Sequence, residues 1–242
     1  MQLIACFHGG GSNSEVYESQ CSQLERLLAP DFRLVYFDGP FERPAGPGVL
    51  PAFRDSGPFK SWFTQDDTGN ELSDGSGFDR IGRDGVERVL DLMERQGDAA
   101  DWVGAMGFSQ GTRVVGGLLR DQQRRESLGE PGRIKLAFGV FCMGGGPPME
   151  AESGHCRFLH SALQPLDQLT GIDIDEQIRN DPITLPTLHV HGLRDPFLHM
   201  GIQQTETYFG TQTRRVLEVD YHHAMPWVRS EVQQLAEDIR SL

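Results

Sequence analysis

Apolar residues recur along this chain in two rhythms. Leu3-Ile4-Ala5-Cys6-Phe7 is a short unbroken apolar run, and residues 32–37, 101–106, 134–142, 186–191 and 215–219 are stretches of strand length rich in apolar and β-forming residues. Between them the spacing turns helical. Tyr17, Cys21, Leu24, Leu27 and Leu28 share one face ahead of Pro30, with Ser12 or Ser14 placed to cap that helix. Val86, Val89, Leu90 and Met93 follow i, i+3, i+4, i+7, and Val114, Val115, Leu118 and Leu119 form a further apolar face. Residues 201–209 suggest another helix, and Val228, Val232, Leu235, Ala236 and Ile239 a terminal amphipathic one. About six strands alternating with helices predict an α/β domain whose mostly parallel sheet is covered on both faces. A site in such a sheet lies at the carboxyl ends of the strands.

Two segments break the rhythm. Residues 38–77 carry Pro40, Pro44, Pro47, Pro51 and Pro58 without periodicity, yet hold Phe41, Phe53, Phe59, Trp62 and Phe63. Disordered segments are poor in aromatics, so this stretch reads as an ordered flap over a site. Residues 143–185 form a second lid-like stretch, with Phe158 among its apolar residues. The whole of 1–242 is expected to be one domain, since neither a repeat nor a linker composition divides it.

Composition narrows the partners. A net charge of −13 argues against nucleic acid. No run of 18 apolar residues suggests a membrane span, and the first residues read as a strand rather than a signal peptide. Cys6, Cys21, Cys142 and Cys156 lack metal-like or redox spacing and are expected to be free thiols of a cytoplasmic protein. His189 and His191 share a strand face but have no third ligand nearby, so packing is expected rather than metal binding.

The chemistry concentrates in Gly107-Phe108-Ser109-Gln110-Gly111. G-x-S-x-G between a strand and a helix is the pattern of a nucleophile elbow. A serine hydroxyl needs a base, and the base needs an orienting group. Asp195 follows the fifth strand and His223 the sixth, in the order Ser, Asp, His. His8-Gly9-Gly10-Gly11 follows the first strand. The backbone N–H groups of Gly10 and Gln110 are the expected oxyanion donors, and His8 is expected to brace that loop. No cofactor is required by such chemistry.

The chain resembles the FSH serine hydrolases, small α/β-hydrolases related to the ovarian-cancer-gene-2 protein. The matching stretches are Cys6-Phe7-His8-Gly9, Asp38-Gly39-Pro40, Trp62-Phe63, the G-F-S-Q-G elbow, the run from Leu185 to Pro196 containing P-T-L-H-V-H-G-L-R-D-P, and His223-Ala224-Met225-Pro226. The resemblance implies an α/β-hydrolase fold with Ser109 as nucleophile, Asp195 as acid and His223 as base. The family usually has glycine where this chain has His222, but its histidine stands three positions before the proline, as His223 does. Many fungal members look like esterases or thioesterases, and some release polyketide synthase products. The expectation is therefore acyl transfer from an ester or thioester, with the acyl group carried by a small molecule or an acyl carrier protein, and with Trp62 and Phe63 in the substrate pocket. A small-ester carboxylesterase and a non-catalytic binder on the same fold are the alternatives.

Overall fold

A computed structural model describes residues 1–64, 85–151 and 181–242. Its centre is a six-stranded parallel sheet built from β1 (Gln2–Phe7), β2 (Phe32–Phe37), β5 (Trp102–Phe108), β6 (Phe138–Cys142), β7 (Thr187–Gly192) and β8 (Arg214–Val219). Their order across the sheet is β2-β1-β5-β6-β7-β8. The expected six strands are present and all are parallel. A short antiparallel hairpin, β3 (Phe41–Glu42) with β4 (Lys60–Ser61), stands apart from that sheet.

Alternation on each strand feeds two cores. Leu3, Ala5 and Phe7 of β1 point into one, and Ile4 and Cys6 into the other. The first core receives α2 (Gly85–Glu94) through Val86, Val89 and Met93, and α3 (Gly111–Leu128) through Val114, Val115 and Leu119. The second receives α1 (Ser14–Leu28) and α5 (Arg229–Arg240), whose Leu24, Leu28, Leu235 and Ile239 are buried. Helix α4 (Leu198–Tyr208) packs on β7, where Thr205 bonds His189 and His191. The inner strands β1, β5, β6 and β7 are buried on both faces, which is why they read as mostly apolar rather than alternating, whereas the edge strands β2 and β8 keep exposed positions such as Arg33 and Arg215.

Three local expectations change. The cap of α1 is Asn13, whose Oδ1 accepts from Val16 N at 2.9 Å; the helix begins at Ser14, so neither Ser12 nor Ser14 occupies the capping position. The fourth strand of the sheet begins at Phe138 rather than Ile134. The Gln122 side chain pairs with both the N–H and C=O of Leu136, taking the place of a neighbouring strand. The third change concerns the first flap. Its described part, up to residue 64, is the β3–β4 hairpin and a series of turns packed on the loop after β1. The remainder of that flap and most of 143–185, with Phe158, His155, His160 and Cys156, lie outside the described residues. Cys6, Cys21 and Cys142 are buried free thiols, and burial pushes Cys142 up to about 12. Among the described residues, no helix is long and apolar enough to cross a membrane.

Candidate active site

Strand β5 ends at Phe108, and the chain turns sharply into α3 through Ser109. Ser109 has φ of 51°, a left-handed conformation that non-glycine residues rarely adopt. The two motif glycines permit the turn. A Cβ on Gly107 would run into the backbone of Gly111, and one on Gly111 into the carbonyl of Phe7. Ser109 N–H donates to Cys142 O at 2.9 Å, and Thr112 Oγ1 donates to Ser109 O at 2.7 Å, so the strained residue is held from both sides.

Asp195 sits in the turn after β7. One oxygen, Oδ1, accepts from Phe197 N at 2.8 Å, which aims Oδ2 at the loop after β8. That loop is tied to the same turn, because Leu193 N donates to Val219 O and Arg194 N to Tyr221 O, each at 2.9 Å. Tyr221 Oη in turn accepts from Val228 N at 2.7 Å, anchoring the loop to the start of α5. The result places His223 between the two acidic and hydroxyl partners. Its Nδ1 lies 2.7 Å from Asp195 Oδ2 and its Nε2 2.9 Å from Ser109 Oγ. Asp195 is an acceptor, so Nδ1 carries the proton and Nε2 is left to accept from the serine hydroxyl. The imidazole is also flanked by the Phe108 ring at 5.0 Å and the Phe197 ring at 5.1 Å. The Asp195 side chain is 2% exposed and that of His223 11%, so water competes little for this bond.

His222 does not reach Ser109 by any such bond. Its ring meets Trp227 edge-on at 5.5 Å, and it lines a cavity of about 80 Å³ together with Gly10, Gln20, Val49, Ser109 and His223. Gly10 lines the same cavity as Ser109, and Gly9 packs so closely that a Cβ on it would sit 3.2 Å from Ser109 Cβ. His8 braces this loop. Its Nε2 accepts from Gly39 N at 2.9 Å, so its Nδ1 donates to Gly9 O at 2.7 Å. Burial holds its pKa at about 4, so the ring is neutral near pH 7.

The expectation for Trp62 and Phe63 is corrected. Both are fully buried in the first core and neither lines the cavity. Trp62 packs edge-on against Phe7 at 5.3 Å and donates from Nε1 to His8 O at 3.0 Å, while Phe63 receives the Arg113 guanidinium 3.6 Å above its ring. They anchor the flap instead of lining the pocket, because the hairpin folds inward over the loop after β1. The residues that do line it and escaped the sequence reading are Gln20, Pro47, Gly48, Val49 and Ala224. Only the glycine- and proline-rich character of 44–48 hinted at a close approach there. His189 and His191 are packed and bonded to Thr187 and Thr205, with His189 stacked on Phe141 at 4.7 Å.

This arrangement can move a proton from the Ser109 hydroxyl to the His223 imidazole. Comparison with known proteins gives the chain a family. Residues 1–235 match the family described as Serine hydrolase (FSH1). The chain is 32% identical to Esterase GME11355 of Pestalotiopsis microspora, over 98% of this chain and 89% of that one. It is 32% identical to Esterase citA of Monascus ruber, over 99% of this chain and 91% of that one. In fold it resembles acyl-protein thioesterase 2 of Zea mays, with a TM-score of 0.59, 20% identity and coverage of 99% and 93% of the two chains.

Proposed function

We propose, for a chain that belongs to the Serine hydrolase (FSH1) family, that it cleaves an ester or thioester through an acyl-enzyme on Ser109. The observation that carries this reading is the single imidazole of His223 bonded to Ser109 Oγ on one side and Asp195 on the other. Ser109 Oγ attacks the acyl carbonyl as His223 Nε2 takes its proton, and Asp195 stabilises the imidazolium. The carbonyl oxygen becomes an oxyanion facing the N–H groups of Gly10 and Gln110, each such donor contributing about 3 kcal/mol in comparable sites. The leaving alcohol or thiol departs with the proton from His223. Water, or a hydroxyl on the acyl chain itself, then loses its proton to His223 and attacks the acyl-enzyme, which releases an acid or a lactone and restores Ser109.

The acyl group we favour is a medium or long chain, as in a polyketide or fatty thioester on a carrier protein. Apolar side chains support this. Leu50 follows the cavity residue Val49, Phe197 contacts His223, Trp227 contacts His222, and all three are exposed. The cavity itself, about 80 Å³ among the described residues, favours a second reading, a carboxylesterase for short acyl esters, since drug-sized ligands occupy roughly 300 Å³ or more. Buried free thiols at Cys6, Cys21 and Cys142 suit a reducing compartment and support a cytoplasmic location.

The test of the acyl-enzyme is labelling with a fluorophosphonate. One label on Ser109, lost in Ser109→Ala together with about 10⁶-fold in turnover, is the expected result. Labelling or turnover that survives the substitution refutes the reading.

A further inference from the structure

The oxyanion donors of a serine hydrolase must be rigid, because their contribution depends on standing at the right place before the anion forms. In this chain the loop carrying Gly10 is rich in glycine and has little stiffness of its own. Something outside it must hold it.

Beside the His8 brace at its start, the loop is supported by the end of strand β4. Gly11 N donates to Lys60 O at 2.8 Å and Lys60 N to Ser12 O at 2.6 Å, so the loop after β1 is stitched to the hairpin. The elbow is stitched to the same strand by a side chain. Gln110 Oε1 accepts from Trp62 N at 2.8 Å, and Gln110 Nε2 donates to Ser61 Oγ at 3.0 Å. Ser61 Oγ is free to accept there because its own hydrogen goes to Phe63 O at 2.8 Å. Both ends of the Gln110 amide are therefore engaged, which fixes its orientation. The same amide lies against Gly10: a Cβ on Gly10 would come within 3.1 Å of Gln110 Nε2. Gln110 is buried, as is Ser61, so these bonds do not exchange with bulk water.

We propose that the side chain of Gln110 is a positioning residue that locks both oxyanion donors, its own backbone N–H and that of Gly10, to the β3–β4 hairpin. The inference rests on the reading of Ser109 as nucleophile. It assigns the hairpin a role in turnover: β3 and β4 of the first flap brace the oxyanion site, while Pro47, Gly48 and Val49 between them line the cavity. The glutamine of the elbow motif is then chosen for its side chain as well as its place in the chain. Its planar amide offers an acceptor to Trp62 and a donor to Ser61 at the end of β4, and an aliphatic residue of the same length offers neither.

The experiment compares wild type with Gln110→Met, which keeps length and loses both bonds, and with Ser61→Ala, which removes only the partner of Nε2. Turnover of a p-nitrophenyl ester is expressed per site titrated with fluorophosphonate, so that misfolded protein is not counted. Inhibition by an alkyl boronic acid, which forms a tetrahedral adduct with the nucleophile, is measured alongside. The expected result is a fall in kcat of about 10- to 100-fold for Gln110→Met, part of the 10²- to 10³-fold seen when a whole donor is lost. KM should stay within about threefold, and boronate affinity should fall in step with kcat/KM. Ser61→Ala should move the same quantities in the same direction by less, and it decides the matter if Gln110→Met does not fold. A merely structural role predicts a lower Tm with kcat and boronate affinity per titrated site unchanged within twofold, and that result overturns the proposal. A fluorophosphonate label that persists in Ser109→Ala overturns the nucleophile reading and this one with it, whereas unchanged variants with Ser109-dependent labelling overturn this one alone.

Discussion

The Nε2 atom of His223 lies 2.9 Å from Ser109 Oγ although 114 positions separate the two residues in the chain. Ser109 is presented by the turn after β5 and His223 by the loop after β8, on strands separated in the sheet by β6 and β7. Parallel strands bring their carboxyl ends to one edge, so residues far apart in sequence meet there.

This geometry separates two adjacent histidines. His223→Ala should lower kcat on an activated ester by several orders of magnitude, since no other imidazole among the described residues bonds Ser109. His222→Ala removes a cavity wall that bonds neither Ser109 nor Asp195, and its effect should fall mainly on KM, by less than about tenfold. Steady-state kinetics of the two variants check this, and a dead His222→Ala enzyme with an active His223→Ala enzyme reverses the roles.

Asp195→Asn should keep the fold and lower kcat by about 10⁴-fold. An asparagine that presents its NH₂ to Nδ1 leaves the imidazole in the wrong tautomer, with Nε2 protonated and unable to accept from Ser109. Circular dichroism and kcat together test it: full activity with an unchanged spectrum contradicts the role of the Asp195 bond.

Trp62→Ala should act on stability rather than on substrate affinity. The side chain is wholly buried against Phe7 and His8, and loss of a buried tryptophan costs roughly 3–5 kcal/mol. Urea denaturation should show that loss. A variant of unchanged stability but sharply raised KM would restore Trp62 to the substrate pocket.

Acid should destabilise the protein through its buried histidines. The His8 pKa is lowered by burial to about 4, below its ordinary 6.5. Between these values the unfolded chain binds the proton and the folded one does not. The contribution is fully present above pH 6.5, falls as pH drops, and is exhausted below about 4; the separation corresponds to roughly 3 kcal/mol. His189, lowered to about 3 for the same reason, adds to the slope over a wider range. Chemical denaturation from pH 7 to pH 4 should show this decline, and His8→Gln, which can still donate to Gly9 O and accept from Gly39 N without titrating, should flatten it. An identical slope in that variant removes His8 from the account.

Acyl preference is checked by kcat/KM over thioesters and p-nitrophenyl esters of increasing length. A several-fold rise per added pair of methylenes, up to a limit, is expected if chain carbons are buried along the apolar surface near Leu50, Phe197 and Trp227. A maximum at acetate selects the carboxylesterase reading.

The sequence by itself determined the α/β class, because the inner strands, buried on both faces, must be mostly apolar and the helices between strands must be one-sided. It also marked Ser109 between Gly107 and Gly111, Asp195 before Pro196 and His223 three positions before Pro226, each just past a strand. What it could not separate was one buried aromatic from another near a site. Trp62 and Phe63 have the composition of a pocket wall, and only the inward course of the β3–β4 hairpin places them in the core. The same holds for Gln110. Its place after Ser109 drew attention only to its backbone N–H, whereas its side-chain bonds to Ser61 and Trp62 span 49 and 48 positions. Local spacing sets which groups a segment can offer; which of them meet is decided by long-range packing, where the burial of a polar amide is tolerated only because each of its atoms finds a partner.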